Sequence, residues 1–307
     1  MRLVPNHDSL LLDKGPPSTV PNKHFVWMAK RYASLPRSLR SVLTFGICLG
    51  ADTVDIVLGR RDAMTPPARM RCQVGPYVDV NYYRFTAEEF LGYFRDLALL
   101  EKNQSILDVG CGCGQMAAKL TGYLGEAGRY QGLDISSNAI GWCRRNISSK
   151  YPNFQFELAD VFNKQYNPKG KYRASEWGFP YHDQEFDFVI AKTIFEHMLP
   201  DDIQNYLDEI ARVLKPGGRC LATFFLLNHE SIDLIENGKS TRNFKNDNGI
   251  YRSVNQQLPE ELLAYDESYV RDMYQKLGLG THAVYYGWWC GREKYLSYCD
   301  LIIATKK

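Results

Sequence analysis

The run Ser105-Ile-Leu-Asp-Val-Gly-Cys-Gly-Cys-Gly-Gln-Met-Ala-Ala-Lys-Leu120 constrains the fold more than any other stretch of this 307-residue chain. A short apolar strand leads through Asp108 into three alternate glycines, Gly110, Gly112 and Gly114, and a helical pattern starts at once. Glycine lets the backbone turn tightly and lets a ligand lie against the main chain. The helix start adds free N–H groups to the same place. Twenty positions after Gly114, the strand Arg129-Tyr-Gln-Gly-Leu-Asp-Ile135 carries Asp134 at its end. An acidic residue at that spacing commonly holds the two hydroxyls of a ribose.

A nicotinamide or flavin site calls for Gly-x-Gly-x-x-Gly. Counting from Gly110 and Gly112, the third glycine falls on Gln115; counting from Gly112 and Gly114, it falls on Ala117, a tolerated variant. Spacing alone therefore leaves that alternative open, and the downstream sequence decides more. Phe154-Gln-Phe-Glu-Leu-Ala-Asp-Val161 places Asp160 just past a strand end. Glu185-Phe-Asp-Phe-Val-Ile-Ala191 reads as a fourth strand, followed by Lys192-Thr-Ile-Phe-Glu-His-Met198. The helix 201–214 closes on Lys215-Pro-Gly-Gly218, where Pro cannot continue a helix and Gly permits the reversal. Arg219-Cys-Leu-Ala-Thr-Phe-Phe225 is then a fifth strand.

In this order the landmarks resemble the class I S-adenosylmethionine (SAM) methyltransferases, above all in the glycine loop and in Ala-Arg-Val-Leu-Lys-Pro-Gly-Gly before a strand. The resemblance covers about residues 84–307. It implies an α/β fold: a doubly wound, mostly parallel seven-stranded sheet with a reversed terminal strand. The segments 281–289 and 298–305 read as the closing hairpin, which a nicotinamide-binding sheet normally lacks. The implied cofactor is SAM, the product S-adenosylhomocysteine, and no metal is expected. Carried over residue by residue, Asp108, Gly110, Cys111, Gly112 and Gly114 form the cofactor loop, Asp134 meets the ribose, Ile135 beside it is a further cofactor contact, and Asp160 meets the adenine amino group with Val161 on the ring. Lys192 follows the fourth strand, and Tyr83 sits where the family often covers the cofactor.

The acceptor side rests on fewer residues. His197 lies just beyond the fourth strand and titrates near neutrality, which suits a general base. Its neighbour Glu196 is expected to orient or replace it. The competing reading for His197 is a structural histidine bonding a loop carbonyl. His182 and His229 lie in two insertions, 162–183 and 227–265, that leave from the ligand edge of the sheet. The first is rich in aromatics, and loops so placed usually carry specificity. An Asn/Asp-Pro-Pro-Tyr run is missing after the fourth strand, Cys220 does not follow a proline, and Asp187 begins that strand instead of ending it. These features disfavour DNA-amine, RNA cytosine-C5 and metal-dependent catechol-type enzymes. What remains is the small-molecule branch, similar to quinone-biosynthesis and natural-product methyltransferases. The expectation is O-methylation of a small or lipid-like acceptor; carbon or nitrogen methylation, an RNA methyltransferase and a catalytically silent SAM-binding protein are the alternatives.

Composition narrows the partners. The net charge is +2, which gives no global bias toward nucleic acid, and none is expected as a partner. Residues 1–76 carry eleven Lys/Arg and five Asp/Glu, a net +6, so the remainder is −4. The eight cysteines lack paired metal-ligand spacing; Cys111 and Cys113 fill loop positions. Free thiols and the polar start of the chain point to a cytoplasmic protein. Residues 39–58 are apolar, but Arg40, Asp52 and Asp55 argue against a membrane span, leaving peripheral contact. The expected organisation is a flexible tail over 1–22, a helical appendage or lid over 23–80, and the catalytic domain over 81–307. Phe25, Met28, Tyr32 and Leu35 share a helical face in the appendage, and Thr86 with Glu89 reads as the capping box of the first domain helix. The part over 23–64 is expected to gate or dock the acceptor or touch a membrane, not to hold SAM; a lid over the sheet edge or a homodimer contact is the alternative.

Overall fold

The computed structural model describes residues 36–164 and 166–307. The expected tail and the helical face of Phe25, Met28, Tyr32 and Leu35 lie outside the described residues. The central strands β1 (Ser105–Val109), β2 (Arg129–Asp134), β3 (Phe154–Leu158), β4 (Phe186–Ala191) and β5 (Leu214–Phe224) pair in parallel. β1 is buried along its whole length, as a strand covered on both faces must be.

Eight α-helices accompany the strands among the described residues: α1 (Arg37–Val57), α2 (Ala68–Arg71), α3 (Val80–Asp96), α4 (Gln115–Leu120), α5 (Ser137–Cys143), α6 (Pro200–Val213), α7 (His229–Glu236) and α8 (Glu267–Lys276). The alternation of strand side chains assigns them to faces. Ile106, Phe188, Ile190 and Leu221 pack with Phe90 and Phe94 of α3, Leu120 of α4 and Ile140 of α5. Leu107, Val189, Ala222 and Ile302 pack on the other face with Ile203, Leu207 and Ile210 of α6 and Met273 of α8. In α6 the buried positions Ile203, Tyr206, Leu207, Ile210 and Val213 follow helical spacing, and Pro200 with Asp201 and Asp202 opens its first turn. The helix stops at the expected reversal, where Gly217 takes φ +76°. β5 is longer than expected because Leu214 already pairs with Phe186, with a register shift before Arg219 pairs with Phe188.

The insertion after β5 is itself structured. β6 (Leu226–Leu227), β7 (Asn246–Asp247), β8 (Tyr251–Ser253) and β9 (Leu263–Asp266) make a four-stranded sheet in the order β6-β9-β8-β7. The chain then closes with β10 (Leu279–Tyr285) and β11 (Asp300–Lys306). The main sheet is seven-stranded, in the order β10-β11-β5-β4-β1-β2-β3. β11 runs antiparallel to both β5 and β10, so it is the one reversed strand. Asp300 locks this end: its carboxylate accepts from Leu226 N, Gly287 N, Trp289 Nε1 and Arg292 Nη1.

One helix start needs correction. α3 begins at Val80, with Asp79 as N-cap accepting from Asn81 N. Thr86 is mid-helix and its hydroxyl bonds back to the Tyr82 carbonyl, while Glu89 Oε1 accepts from Tyr93 OH. The Thr-x-x-Glu pattern fits either place; the side-chain bond back to i−4 won.

Before α3, the polypeptide is tied down by a buried ion pair. Arg71 Nη2 lies 2.8 Å from Asp55 Oδ2 of α1, with the guanidinium fully buried. The same guanidinium donates to the carbonyls of Pro66, Tyr77 and Val78. Cys48 and Cys72 bring their sulfurs to 3.2 Å where α1 crosses α2. None of the helices among the described residues is long and apolar enough to cross a membrane.

Candidate active site

Strand order reverses at β1, which has β2 on one side and β4 on the other. Outside the carboxyl ends of such strands lies the binding crevice of an open α/β sheet. Here it is a cleft of about 2840 Å³, well beyond the roughly 300–1,000 Å³ of a single-ligand site. Its size admits two molecules side by side.

The glycine loop forms one wall. Gly110 N and Cys111 N both donate to the Leu133 carbonyl, at 2.7 and 3.0 Å, so the loop is fixed to the end of β2. Asp134 completes the attachment: Oδ2 accepts from Gly112 N at 2.8 Å and Oδ1 from Ser136 N at 2.7 Å. Gly112 has φ +53°, and a Cβ there would stand 2.5 Å from Val74 Cγ1. The segment after α2 thus lies directly on the loop. Gly114 has φ +77°, but its added Cβ would meet Ile147 Cδ1 at 2.7 Å, inside the core. Gly110, Cys111, Gly112, Asp108, Asp134, Ile135 and Val161 line the cleft, whereas Gly114 serves packing behind it.

Two other expected cofactor residues turn elsewhere. Tyr83 is buried under the loop, its hydroxyl 3.7 Å from Cys113 Sγ; Tyr77 and Tyr82 face the cleft instead. The cause is helical phase, since Tyr83 lies within α3 and not ahead of it. Asp160 points its carboxylate at Lys171 Nζ, 3.6 Å away, while Ala159, Val161 and Phe162 provide the cleft lining there.

Buried ionisable groups concentrate at the strand ends. Burial pushes Asp108 up to about 7, against the opposing bond from Tyr130 OH and the charge of Lys192. Desolvation also raises Asp134, offset by the Ser136 and Gly112 amides. Lys192 lies 5.1 Å from the Phe90 ring centre and 5.7 Å from that of Tyr77. Its ammonium donates to Tyr77 OH and Gln115 Oε1 at 3.4 Å. Burial works against that charge, but the Tyr77 hydroxyl, Cys299 and Glu196 hold Lys192 above its usual value. Glu196 accepts from Thr223 Oγ1 at 2.8 Å, and burial lifts it to about 7.

His197 and Glu196 diverge in spite of being neighbours. Glu196 turns to β5, and His197 turns to the second insertion, where Nδ1 lies 3.2 Å from the Glu260 carbonyl. Glu196 therefore does not orient the imidazole. A carbonyl can only accept, so Nδ1 carries the proton and Nε2 is the basic nitrogen. Burial lowers the His197 pKa, and Arg242 lowers it further against the pull of the Glu260 and Glu261 backbone. The ring of Tyr166 meets it edge-on at 6.2 Å. Across this part of the cleft, Arg242 Nε donates to Tyr298 OH at 3.0 Å. His182 and His229 line no part of it, and no metal-binding group of His, Cys, Asp and Glu occurs among the described residues.

Tyr77, Gln115, Arg242, Tyr298 and Cys299 complete the cleft and carried no sequence signal of their own. Gln115 directly follows the glycine loop, and the other four reach the cleft from segments far from that loop in the chain.

The comparisons agree with this geometry. A family pattern described as a methyltransferase domain matches residues 100–276. A demethylmenaquinone methyltransferase of Halalkalibacterium halodurans is 36% identical over 126 residues, covering 40% of this chain and 45% of that protein. An O-methyltransferase of Penicillium expansum is 30% identical over 134 residues, 43% of this chain and 42% of that one. The chain thus spans under half the length of these curated relatives. The crystal structure of PH0226 protein from Pyrococcus horikoshii OT3 superposes with a TM-score of 0.52 at 18% identity, covering 75% of this chain and 93% of that one, which shows a shared fold.

Proposed function

The chain belongs to the methyltransferase-domain family matched over residues 100–276, and from that premise we propose that it transfers the methyl group of SAM to a small-molecule acceptor, by preference to oxygen. One observation carries the proposal: the glycine loop with its acidic neighbours and a histidine of fixed tautomer open onto the same cleft. Leu133 and Asp134 hold the loop in place through its amides, and Gly110, Cys111, Gly112 and Asp134 line the part of the cleft that SAM would fill. In this reading the loop and Asp108 take the amino-acid end, Asp134 the ribose, and Ile135 with Val161 the adenine face. Asp160, turned to Lys171, would reach the adenine amino group only after leaving that partner.

SAM supplies an electrophilic methyl carbon on a sulfonium. The protein's part is alignment, exclusion of water and removal of one proton. With SAM bound to supply the methyl group, Nε2 of His197 would be the atom that accepts the proton of the acceptor hydroxyl as the methyl group leaves the sulfur. Burial holds the imidazole neutral, which keeps that lone pair available at pH 7. Tyr166 and Phe162 offer an apolar wall to the acceptor. A relative named for demethylmenaquinone supports an apolar acceptor of this kind, and one named an O-methyltransferase supports oxygen as the atom methylated. The cleft wall sets Asp202, Glu260 and Glu261 among Lys164, Arg173, Arg242 and Lys245, so it is not the continuous basic groove that RNA calls for.

The test is incubation with isotopically labelled SAM and a host extract, followed by mass spectrometry of the labelled product. A small O-methylated product is expected. A labelled RNA or protein refutes the small-molecule reading, and no labelled product with intact SAM binding marks a silent binder. His197→Gln should lower kcat by about 10²-fold or more while SAM affinity in calorimetry stays unchanged. Wild-type kcat in that variant removes the base.

A further inference from the structure

Helix α1 is amphipathic in the inverse sense for a surface helix. Cys48, Asp52 and Asp55 share one side at i, i+4 and i+7, and that side faces the protein. Asp55 pairs with buried Arg71, and Asp52 accepts from Ala68 N at 2.7 Å. Between residues 41 and 58 these are the only charged residues, so the outward side holds none. That side instead presents Val42, Phe45, Leu49, Ile56 and Val57, exposed by 68, 59, 58, 61 and 77%. Isolated exposed apolar residues are ordinary; a continuous apolar side along a helix of about 31 Å is a site of contact.

Two observations say with what. The first is charge. Arg37 and Arg40 fall in the first turn of the helix, Arg60 stands exposed three residues past its end, and Arg69 follows on α2. Residues 1–76 are basic against an acidic remainder, by +6 to −4. An apolar helix side flanked by arginines matches the interface of an anionic bilayer, where the chain lies along the surface without crossing. The second is continuity with the cleft. Thr44 and Ile47 of α1, with Met70 of α2 and Cys72 at its end, form part of the cleft lining. A second copy seated on α1 would cover that border of the cleft. A bilayer there would instead present its own contents to it.

We propose that α1 docks on an anionic lipid surface with its outward side in the interfacial layer, and that the acceptor enters the cleft from that surface past Thr44 and Ile47. The route for the acceptor rests on the methyl-transfer reading of the cleft; the docking does not. The substrate class that follows is a membrane-borne molecule with an apolar tail.

The full-length protein is sedimented with vesicles of phosphatidylcholine alone and of phosphatidylcholine mixed with phosphatidylglycerol. It should pellet with the anionic vesicles, and added salt should weaken the association. Phe45→Glu combined with Leu49→Glu, both outside the cleft lining, should lower vesicle binding by at least about tenfold and leave thermal unfolding and SAM binding as in the wild type. Failure of the wild type to pellet with either vesicle overturns the proposal. So does a wild type that is dimeric by light scattering and binds no vesicle, whether or not the variant is monomeric. Vesicle binding without SAM binding would refute methyl transfer and leave the docking in place.

Discussion

At the scale of single residues, the cofactor side of the cleft was far more legible than the acceptor side. Gly110, Gly112 and Asp134 are read from a local pattern because one turn and one strand end decide where they go. Tyr83 and Tyr82 are neighbours, and only the helix start decides which faces inward. Arg242 and Tyr298 meet across 56 positions, and no local signal predicts such a pair. Asp134 joins two loops through backbone amides, so Asp134→Ala should loosen the glycine loop as well as remove the proposed ribose contact. SAM affinity should fall about tenfold or more; equal affinity in calorimetry would rule out the ribose role. Glu196 makes a prediction through pH. Its pKa is raised to about 7 in the folded state, against about 4.3 in an unfolded chain. Between those values the unfolded chain has lost the proton and the native state keeps it, so rising pH favours unfolding. The contribution is complete below the lower value and gone above the upper one. Relative to Glu196→Gln, the wild type should therefore lose stability from about pH 4.3 to about pH 7 and level off beyond, in denaturant titrations of both proteins. A pH-independent difference would show that Glu196 is ionised in the native protein.

At the scale of elements, long periodic segments were readable and short or non-local ones were not. The face of α6 follows from its spacing, and the reversal after it from Pro216 and Gly217. The small sheet β6–β9 has strands of two to four residues, too short for alternation to register. The pairing of α1 with α2 escaped for another reason: Asp55 and Arg71 each look like ordinary surface charges in sequence. Together they form a buried pair that also holds the carbonyls of Tyr77 and Val78 in place. Removing one partner strands a buried charge, so Asp55→Ala should destabilise the protein by about 3–5 kcal/mol. Chemical denaturation measures it directly. A loss within the range of exposed ion pairs, about 1 kcal/mol or less, would mean that water reaches Arg71 in solution.

For the molecule as a whole, the sequence places the sheet and its reversed strand correctly because the alternation of strand and helix runs through most of the chain. It gives no sign that the N-terminal segment also braces the glycine loop. Val74 lies on Gly112, Arg71 steadies the stretch that carries Val74 and Tyr77, and Asp55 steadies Arg71. A chain beginning at Thr65 should therefore melt lower and bind SAM more weakly than the intact protein, although it keeps every residue of the expected cofactor motif. Differential scanning calorimetry and titration calorimetry test both halves; unchanged SAM affinity would return α1 to the acceptor side alone. There is also a lesson in the reversed strand. β11 lies between β5 and β10, yet both β10 and β11 come after residue 276, where the family match ends. The heritable unit and the mechanical unit are therefore different pieces of chain. Someone grafting this catalytic apparatus into another scaffold by copying the matched stretch would move a sheet with one raw edge at β5, of the sort that recruits foreign strands, and a cofactor loop stripped of its cover. The smallest transferable part is close to the whole protein.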